Sequence, residues 1–475
     1  MRQDLQEKIF INNQWIRTET TRKVLNPFDD SWVGVSGFGD EIHMNEAINA
    51  AEKSFEIFKQ YPTHLLADGL NKMKLFLEVH LDEIAETLSQ EAGKPMALAQ
   101  GEVVRAIHTF EDGVEECKRQ YGETMPLDRR PWGDGKTGII QRFPLGVIAA
   151  ITPFNFPLNL AAHKIVPALA SRNTVVLRPA SQTPFTAMYL AKAYEESGLP
   201  AGGLNVVPCN YNAADVLVED ERVKKITFTG SPKVGWKIKE RAPMKKVSLE
   251  LGGNAAIIVH RDADLEKASI AIRNGAFFYA GQSCISAQRV YVHRSVFDAF
   301  SLIFKTSVEA LKVGDPRLPE TQVGPLINMD EANRVMDWIH QAIEEDATCL
   351  TGGEQNGSVI TPTVLLDSKS NMAVNCMEVF GPVLTLTPYD DFQEAIDEVN
   401  NSDFGLQAGV FTNDVRLIQK AYSTLNVGGV IINDVSTWRI DHMPYGGVKQ
   451  SGVGREGVRF AMNEMTEPKL LVISS

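Results

Sequence analysis

The chain has 475 residues, 44% of them hydrophobic and 23% charged, and 47 Lys plus Arg against 60 Asp plus Glu give a formal net charge of −13. That length implies about three domains with sizeable cores, and the composition excludes disorder and collagen-like repetition. The acidic balance excludes a chain built to wrap nucleic acid or lie on an anionic membrane, so positive charge offered to a ligand must be concentrated locally.

In chain order, the spacing of apolar residues predicts a helix over 45–59. A second is expected over 63–93, with Leu70, Met73, Leu77, Ile84 and Leu88 on one face, and a third over 96–119. Residues 121–142, rich in Gly, Pro and charge, read as a protruding hairpin. From Gly146 short apolar runs alternate with amphipathic stretches. Strands are expected at 146–151, 174–177, 204–207, 225–228 and 247–251, with helices at 158–170, 185–197, 213–218 and 232–239. Strands separated by helix-length segments argue for a parallel, helix-covered sheet of the dinucleotide-binding kind, a pattern that serves many other ligands too. A second alternation begins near Ala255, with strands at 288–292, 383–387, 408–412 and 429–432. The tail at 469–473 reads as an edge strand that seeks a partner, in this chain or in a second copy.

The cysteines (Cys117, Cys209, Cys284, Cys349 and Cys376) are too scattered for a disulfide scaffold and form no CxxC pair. They fit a reducing cytoplasm, where one cysteine can serve as a nucleophile. The charged N-terminus lacks the apolar run of a secretory signal, and residues 143–162 carry Pro144, Pro153 and Pro157, unlike a membrane span. A cytoplasmic protein is expected. The histidines show no H-E-x-x-H spacing, so no metal catalyst is expected, and no G-x-S-x-G elbow is present.

Several segments carry residues suited to chemistry. Gly230-Ser-Pro-Lys-Val-Gly235 follows the strand ending in Phe228 and opens a helix, with Ser231 as N-cap and Pro232 in the first turn. Its backbone amides suit a pyrophosphate, or simply make a turn. Arg178, at a strand end, is either a ligand contact or a surface ion pair. Cys284, in the loop around Gly281, is either a low-pKa nucleophile or a buried inert thiol. Glu250 stands amid apolar neighbours before Gly252-Gly253; it is functional, or it is a carboxylate satisfied by nearby amides. Asn155, between Pro153 and Pro157, can donate into an oxyanion site or organise its turn.

The ordered segments Pro153-Phe-Asn-Phe-Pro157, Arg178-Pro-Ala-Ser181, Phe228-Thr-Gly-Ser231, Leu249-Glu-Leu-Gly-Gly253, Gly281-Gln-Ser-Cys284 and Glu378-Val-Phe-Gly-Pro382 resemble the aldehyde dehydrogenase superfamily almost end to end. Met443-Pro-Tyr-Gly-Gly-Val-Lys449 and its neighbours resemble the branch of lactaldehyde, phosphonoacetaldehyde and sulfolactaldehyde dehydrogenases. The resemblance implies an α/β fold with a Rossmann-type cofactor domain (1–120 and 142–249), an α/β catalytic domain (250–458) and a small β oligomerisation element (121–141 and 459–475). It implies a homodimer or homotetramer.

The same resemblance implies that Cys284 attacks the aldehyde, that Asn155 and the Cys284 amide hold the oxyanion, and that Glu250 activates the hydrolytic water. Thr152, Pro153, Arg178, Ala180, Ser181, Phe228, Gly230, Ser231, Gly235, Leu251, Glu378 and Phe380 would contact the dinucleotide. Arg178 stands where most members have lysine, and Ser181 replaces the glutamate that repels a 2′-phosphate in NAD-restricted members. NAD is expected for the branch, and NADP remains compatible. Arg105, Phe156, Ser283, Ile285, Arg439 and His442 would face the substrate. Ser283 stands where relatives taking phosphorylated aldehydes often have arginine. Arg105 and Arg439 align with anion-binding positions; the alternative is ion pairs of Arg105 with Glu102 or Glu111 and of Arg439 with Asp441. The expected reaction is NAD(P)-dependent oxidation of a small hydroxylated or anionic aldehyde to its acid. Succinic semialdehyde and glyceraldehyde 3-phosphate are alternative substrates; coenzyme A acylation or a non-catalytic relative are the rival readings.

Overall fold

The computed structural model describes residues 5–474; Met1–Asp4, part of the charged N-terminal stretch, and Ser475 lie outside it. The first sheet has the strand order Gln14–Arg17, Lys8–Ile11, Leu204–Val206, Thr174–Arg178, Val147–Ile151, Val223–Thr229, Lys246–Glu250 and Gly452–Val453. The central strands from Leu204–Val206 to Lys246–Glu250 are parallel, and the flanking ones antiparallel. Val147–Ile151 is buried along its whole length, as a strand covered by helices on both faces should be. In chain order these parallel strands run third, second, first, fourth, fifth, so the direction of winding reverses between Val147–Ile151 and Val223–Thr229. Ligands collect at the carboxyl ends of strands at such a reversal.

The second sheet runs Thr348–Thr351, Thr363–Leu366, Val383–Tyr389, Arg289–His293, Ala256–Val259, Gln407–Phe411 and Gly429–Ile432, parallel except for the first strand. The chain does not stay in this unit to residue 458. Gly452–Val453 pairs back onto Lys246–Glu250, and helix Val458–Glu464 buries Val458, Ala461 and Met462 in the first unit's core.

The helix expected over 63–93 breaks at His80 (φ −103°, ψ 19°) into Thr63–Val79 and Leu81–Ala92, where Asp82 and Glu83 favour a new helix N-terminus. Helix Pro184–Ser197 ends on Gly198 in the left-handed conformation (φ 76°), as the sequence predicts. The tail finds its partner in the same chain. Thr466–Ser474 pairs antiparallel with Lys136–Pro144, which also pairs with Glu123–Pro126 to complete a three-stranded arm. Among the described residues no helix is long and apolar enough to cross a membrane.

Candidate active site

A cavity of about 1290 Å³ opens at the carboxyl ends of the first sheet and is closed on its far side by the second unit. Each strand at the reversal delivers a functional residue to it. The turn after Val147–Ile151 brings Asn155, the turn after Val223–Thr229 brings Gly230 and Ser231, and Lys246–Glu250 ends in Glu250. The second unit supplies Ser283, Cys284, Ile285, Glu378 and Phe380.

Cys284 follows a backbone held in an unusual way. Tyr279 (φ 49°), Ala280 (φ 52°) and Gly281 (φ 71°) are consecutively left-handed. Non-glycine residues there cost about 1–3 kcal/mol each and persist only when their surroundings fix them. Here Tyr279 Oη donates to the Ala92 carbonyl (2.6 Å), while Gln282 Nε2 donates to the Tyr279 and Pro325 carbonyls. The Cys284 thiol lies 3.0 Å from Tyr445 Oη. Of the two alternatives the sequence left open, the low-pKa thiol is disfavoured: desolvation pushes Cys284 up to about 12, against the Tyr445 hydrogen bond.

Glu250 is buried, and neither carboxylate oxygen has a hydrogen-bond partner within the protein. The alternative in which nearby amides satisfy it therefore fails. An unpaired buried carboxylate costs several kcal/mol, and burial accordingly raises Glu250 well above its ordinary value, helped by the neighbouring negative charge of Glu456. Asn155 does not brace its own turn. Its Nδ2 donates to the Gln282 carbonyl (3.0 Å), tying the oxyanion candidate to the nucleophile loop, while its Oδ1 is buried without a partner. An amide nitrogen carries two hydrogens, so one remains to be donated.

At the cofactor end, Glu378 Oε1 accepts the Gly253 N–H at 3.0 Å, and burial pushes this carboxyl up to about 7. A side chain at Gly252 would place its Cβ 2.2 Å from Glu378 Oε2, which explains a glycine at this position. Phe380 (φ 50°) packs edge-on against Phe154 with centroids 5.9 Å apart. Ser231 is the N-cap residue of Pro232–Arg241, but its side chain makes no capping bond. Arg178 finds no carboxylate: Nη2 donates to the Cys209 carbonyl (3.3 Å) and lies 3.5 Å from Ser181 Oγ, while Nε is buried without a partner. A carboxylate with an oxygen to spare and a helix N-terminus on the wall of one cavity fit a dinucleotide.

Several residues expected to contact ligands directly stand behind the cavity wall. Thr152, Ala180 and Phe228 are buried, and Phe228 belongs to the sheet core. Gly235 lies under Leu251, which would stand 2.4 Å from a Cβ there, so its role is close helix–strand packing. Ser181 faces a separate recess. His442 is exposed and does not line the cavity.

Arg105 and Arg439 do line it together, with pairings other than those expected. Arg105 grips Asp441 through two bonds (Nη2–Oδ1 2.7 Å, Nε–Oδ2 3.2 Å). Arg439 donates to Glu456 (3.1 Å) and stacks 3.7 Å above the Tyr445 ring, and its Nε is buried without a partner. Asp441 also meets His163 Nε2 (2.8 Å) and Asn159 Nδ2 (3.1 Å). Lys164 holds the second oxygen of Glu456 at 2.9 Å. Burial opposes charge on both acids, yet His163 and Arg105 hold Asp441 well below the usual range, and Lys164 and Arg439 hold Glu456 at about 2. Burial and the Arg439 charge lower His163, which favours its neutral form. Arg105, Arg439 and Lys164 thus face two carboxylates, leaving a local excess of positive charge in an acidic protein.

Sequence reasoning missed Tyr445, Asp441, Glu456, His163 and Lys164 as a network. Tyr445 lies within the quoted 443–449 segment, and that was the available signal. Except for Arg439 with Glu456, the ion pairs and hydrogen bonds join residues hundreds of positions apart and leave no local pattern.

The two-unit α/β architecture thus gathers a loop cysteine, a buried carboxyl and a side-chain amide around one cavity. The sequence profile of the aldehyde dehydrogenase family matches residues 15–471, and the chain belongs to that family. It is 42% identical over 471 residues, 98% of each chain, to 3-sulfolactaldehyde dehydrogenase of Priestia aryabhattai. Among solved structures it is similar to aldehyde dehydrogenase 21 of Physcomitrella patens in complex with the reaction product succinate (39% identity, 99% and 98% of the two chains, TM-score 0.96). It is likewise similar to glyceraldehyde-3-phosphate dehydrogenase GapN of Methanocaldococcus jannaschii complexed with NADP (38% identity, 96% and 100%, TM-score 0.93). The protein is an oxidoreductase acting on aldehydes, with the fold of that family.

Proposed function

We propose that the protein oxidises a small anionic aldehyde, of the sulfolactaldehyde or semialdehyde kind, to its carboxylic acid. The observation that carries this reading is Glu250, buried without a partner in the cavity that holds Cys284 and Asn155. Cys284 Sγ bonds to the carbonyl carbon, and the thiol proton passes to Glu250, a stronger base for its raised pKa. The resulting oxyanion takes hydrogen bonds from Asn155 Nδ2 and the Cys284 N–H. The dinucleotide, held by Glu378, Phe380, Gly230 and Ser231, supplies the hydride acceptor. Glu250 releases that first proton to solvent, then takes a proton from the water that attacks the Cys284 thioester and passes it to the departing thiolate, releasing the acid and the thiol. With this base in place, water is the acyl acceptor rather than coenzyme A.

The anionic substrate is argued from Arg105 and Arg439. A sulfonate or carboxylate would receive the free Arg439 Nε–H and the outer face of Arg105. The sulfolactaldehyde-oxidising relative and the succinate-bound structure support this class. Arg178, with Nη2 3.5 Å from Ser181 Oγ and in no ion pair among the described residues, supports acceptance of NADP as well as NAD. The exposed apolar row Leu470–Ile473 on the arm supports a homodimer or homotetramer. The reading is tested with 3-sulfolactaldehyde, succinic semialdehyde, glyceraldehyde 3-phosphate, phosphonoacetaldehyde and lactaldehyde, each with NAD and NADP. Anionic aldehydes should give kcat/KM at least about tenfold above lactaldehyde; equal values would remove the anion site.

A further inference from the structure

Lys94 and Glu102 do not line the cavity and take no part in the reaction above, yet both are charged and fully buried. Lys94 follows Gly93 at the end of Leu81–Ala92, and Glu102 lies on Met96–Lys118. Lys94 Nζ donates to Glu102 Oε2 and to the Asn155 carbonyl, the latter at 2.7 Å. The ammonium sits 3.9 Å from the centroid of Phe156 and 4.5 Å from that of Tyr279. Glu102 Oε1 accepts the N–H groups of Leu158 (3.0 Å) and Asn159 (3.1 Å), capping Asn159–Ala170 from another helix. The contacts of this pair therefore converge on two segments: residues 155–159, which carry the oxyanion amide, and Tyr279, which leads into the nucleophile loop.

Stability alone is a weak reason to keep such a pair. Buried ion pairs are often no more stabilising than apolar residues of the same volume. Position is a stronger reason, because a displacement of about 1 Å at a reacting centre can lower a rate about 10²-fold. We propose that Lys94 and Glu102 are positioning residues that set the place of the Asn155 amide relative to Cys284, resting on the reading above that Asn155 serves the oxyanion. Glu102 fixes the helix that follows Asn155, and Lys94 pins the Asn155 backbone and the two flanking rings to it.

The test is a double-mutant cycle of Lys94→Met and Asn155→Ala, with melting temperature as a check on folding. Lys94→Met should lower kcat at least about tenfold while KM for aldehyde and dinucleotide stay within about twofold. Asn155→Ala alone should lower kcat about 10²–10³-fold, and in the Lys94→Met background by less than about tenfold, because the amide is already out of place. Penalties that multiply in full would overturn the positioning proposal while leaving Asn155 its role. An Asn155→Ala enzyme with unchanged kcat would instead sink the oxyanion reading. Modification of Cys284 by methyl methanethiosulfonate, which has no carbonyl, followed by peptide mass mapping, should keep its rate in Lys94→Met. A parallel fall would assign the defect to the nucleophile loop and overturn the proposal. If Lys94→Met does not fold, Glu102→Gln replaces it, keeping an acceptor for the backbone amides while loosening the ammonium, with the same supporting and overturning results.

Discussion

At the arginine end of the cavity every charged side chain has an oppositely charged neighbour, Arg105 with Asp441 and both Arg439 and Lys164 with Glu456, and one positive charge is left in excess. Around Cys284 the opposite holds. Both oxygens of Glu250 and Oδ1 of Asn155 are buried without partners, and the backbone leading to the thiol is left-handed for consecutive residues. A buried carboxyl left without any partner is costly, and its place beside a candidate nucleophile points to something that is to bind or react there. The paired end shapes a field in which an anion can be held, and the unpaired end waits for atoms that arrive with substrate and water. At the arginine end, Nε of Arg439 and Nδ1 of His163 are the buried groups without partners among the described residues, and the first lies where an anionic group would be received.

That contrast can be broken at several points. Cys284→Ala should have the largest effect, at least about 10⁴-fold on kcat/KM, because no other described cysteine lines the cavity. Substitutions at the paired end should act on binding. Arg105→Ala should raise KM for an anionic aldehyde about 10–100-fold and leave lactaldehyde nearly unchanged, as measured by initial rates. Arg105 is a cleaner probe than Arg439 because it is partly exposed where Arg439 is buried, and its removal leaves Asp441 the bonds from His163 and Asn159; equal effects on both substrates would dissolve the distinction between the two ends.

Smaller effects sharpen the picture. With desolvation holding Cys284 near pKa 12, its rate of modification without added dinucleotide should climb about tenfold per pH unit from pH 7 to 10. A plateau below pH 9 would mean an activated thiolate. Because Glu250 is raised, its base form appears only as pH rises through that value, so the hydrolytic step should gain rate with pH well above the ordinary carboxylate range.

The parallel strands of the first sheet were legible because continuous apolar runs bounded by turns are the mark of strands buried on both faces. Strand Val223–Thr229 differs from its expected extent only at the ends. The N-terminal hairpin was not foreseen. Lys8–Ile11 and Gln14–Arg17 are short and mixed in polarity, and the one available signal was Asn12-Asn13, both left-handed in the turn. Cys284, Glu250 and Asn155 were readable as chemistry-bearing residues because each breaks a local rule of its own segment. Lys94, Glu102, Lys164 and Glu456 were not. A charged residue in a loop or on a helix reads as solvated surface, and only the tertiary fold shows these to be buried and paired.

The most direct measurement is rapid-quench mass spectrometry of Glu250→Gln mixed with an anionic aldehyde and excess dinucleotide. The expected result is one equivalent of reduced cofactor formed in a burst, an acyl adduct mapped to Cys284, and turnover slowed about 10²–10⁴-fold thereafter. Steady turnover at the parental rate with no adduct on Cys284 would contradict the account.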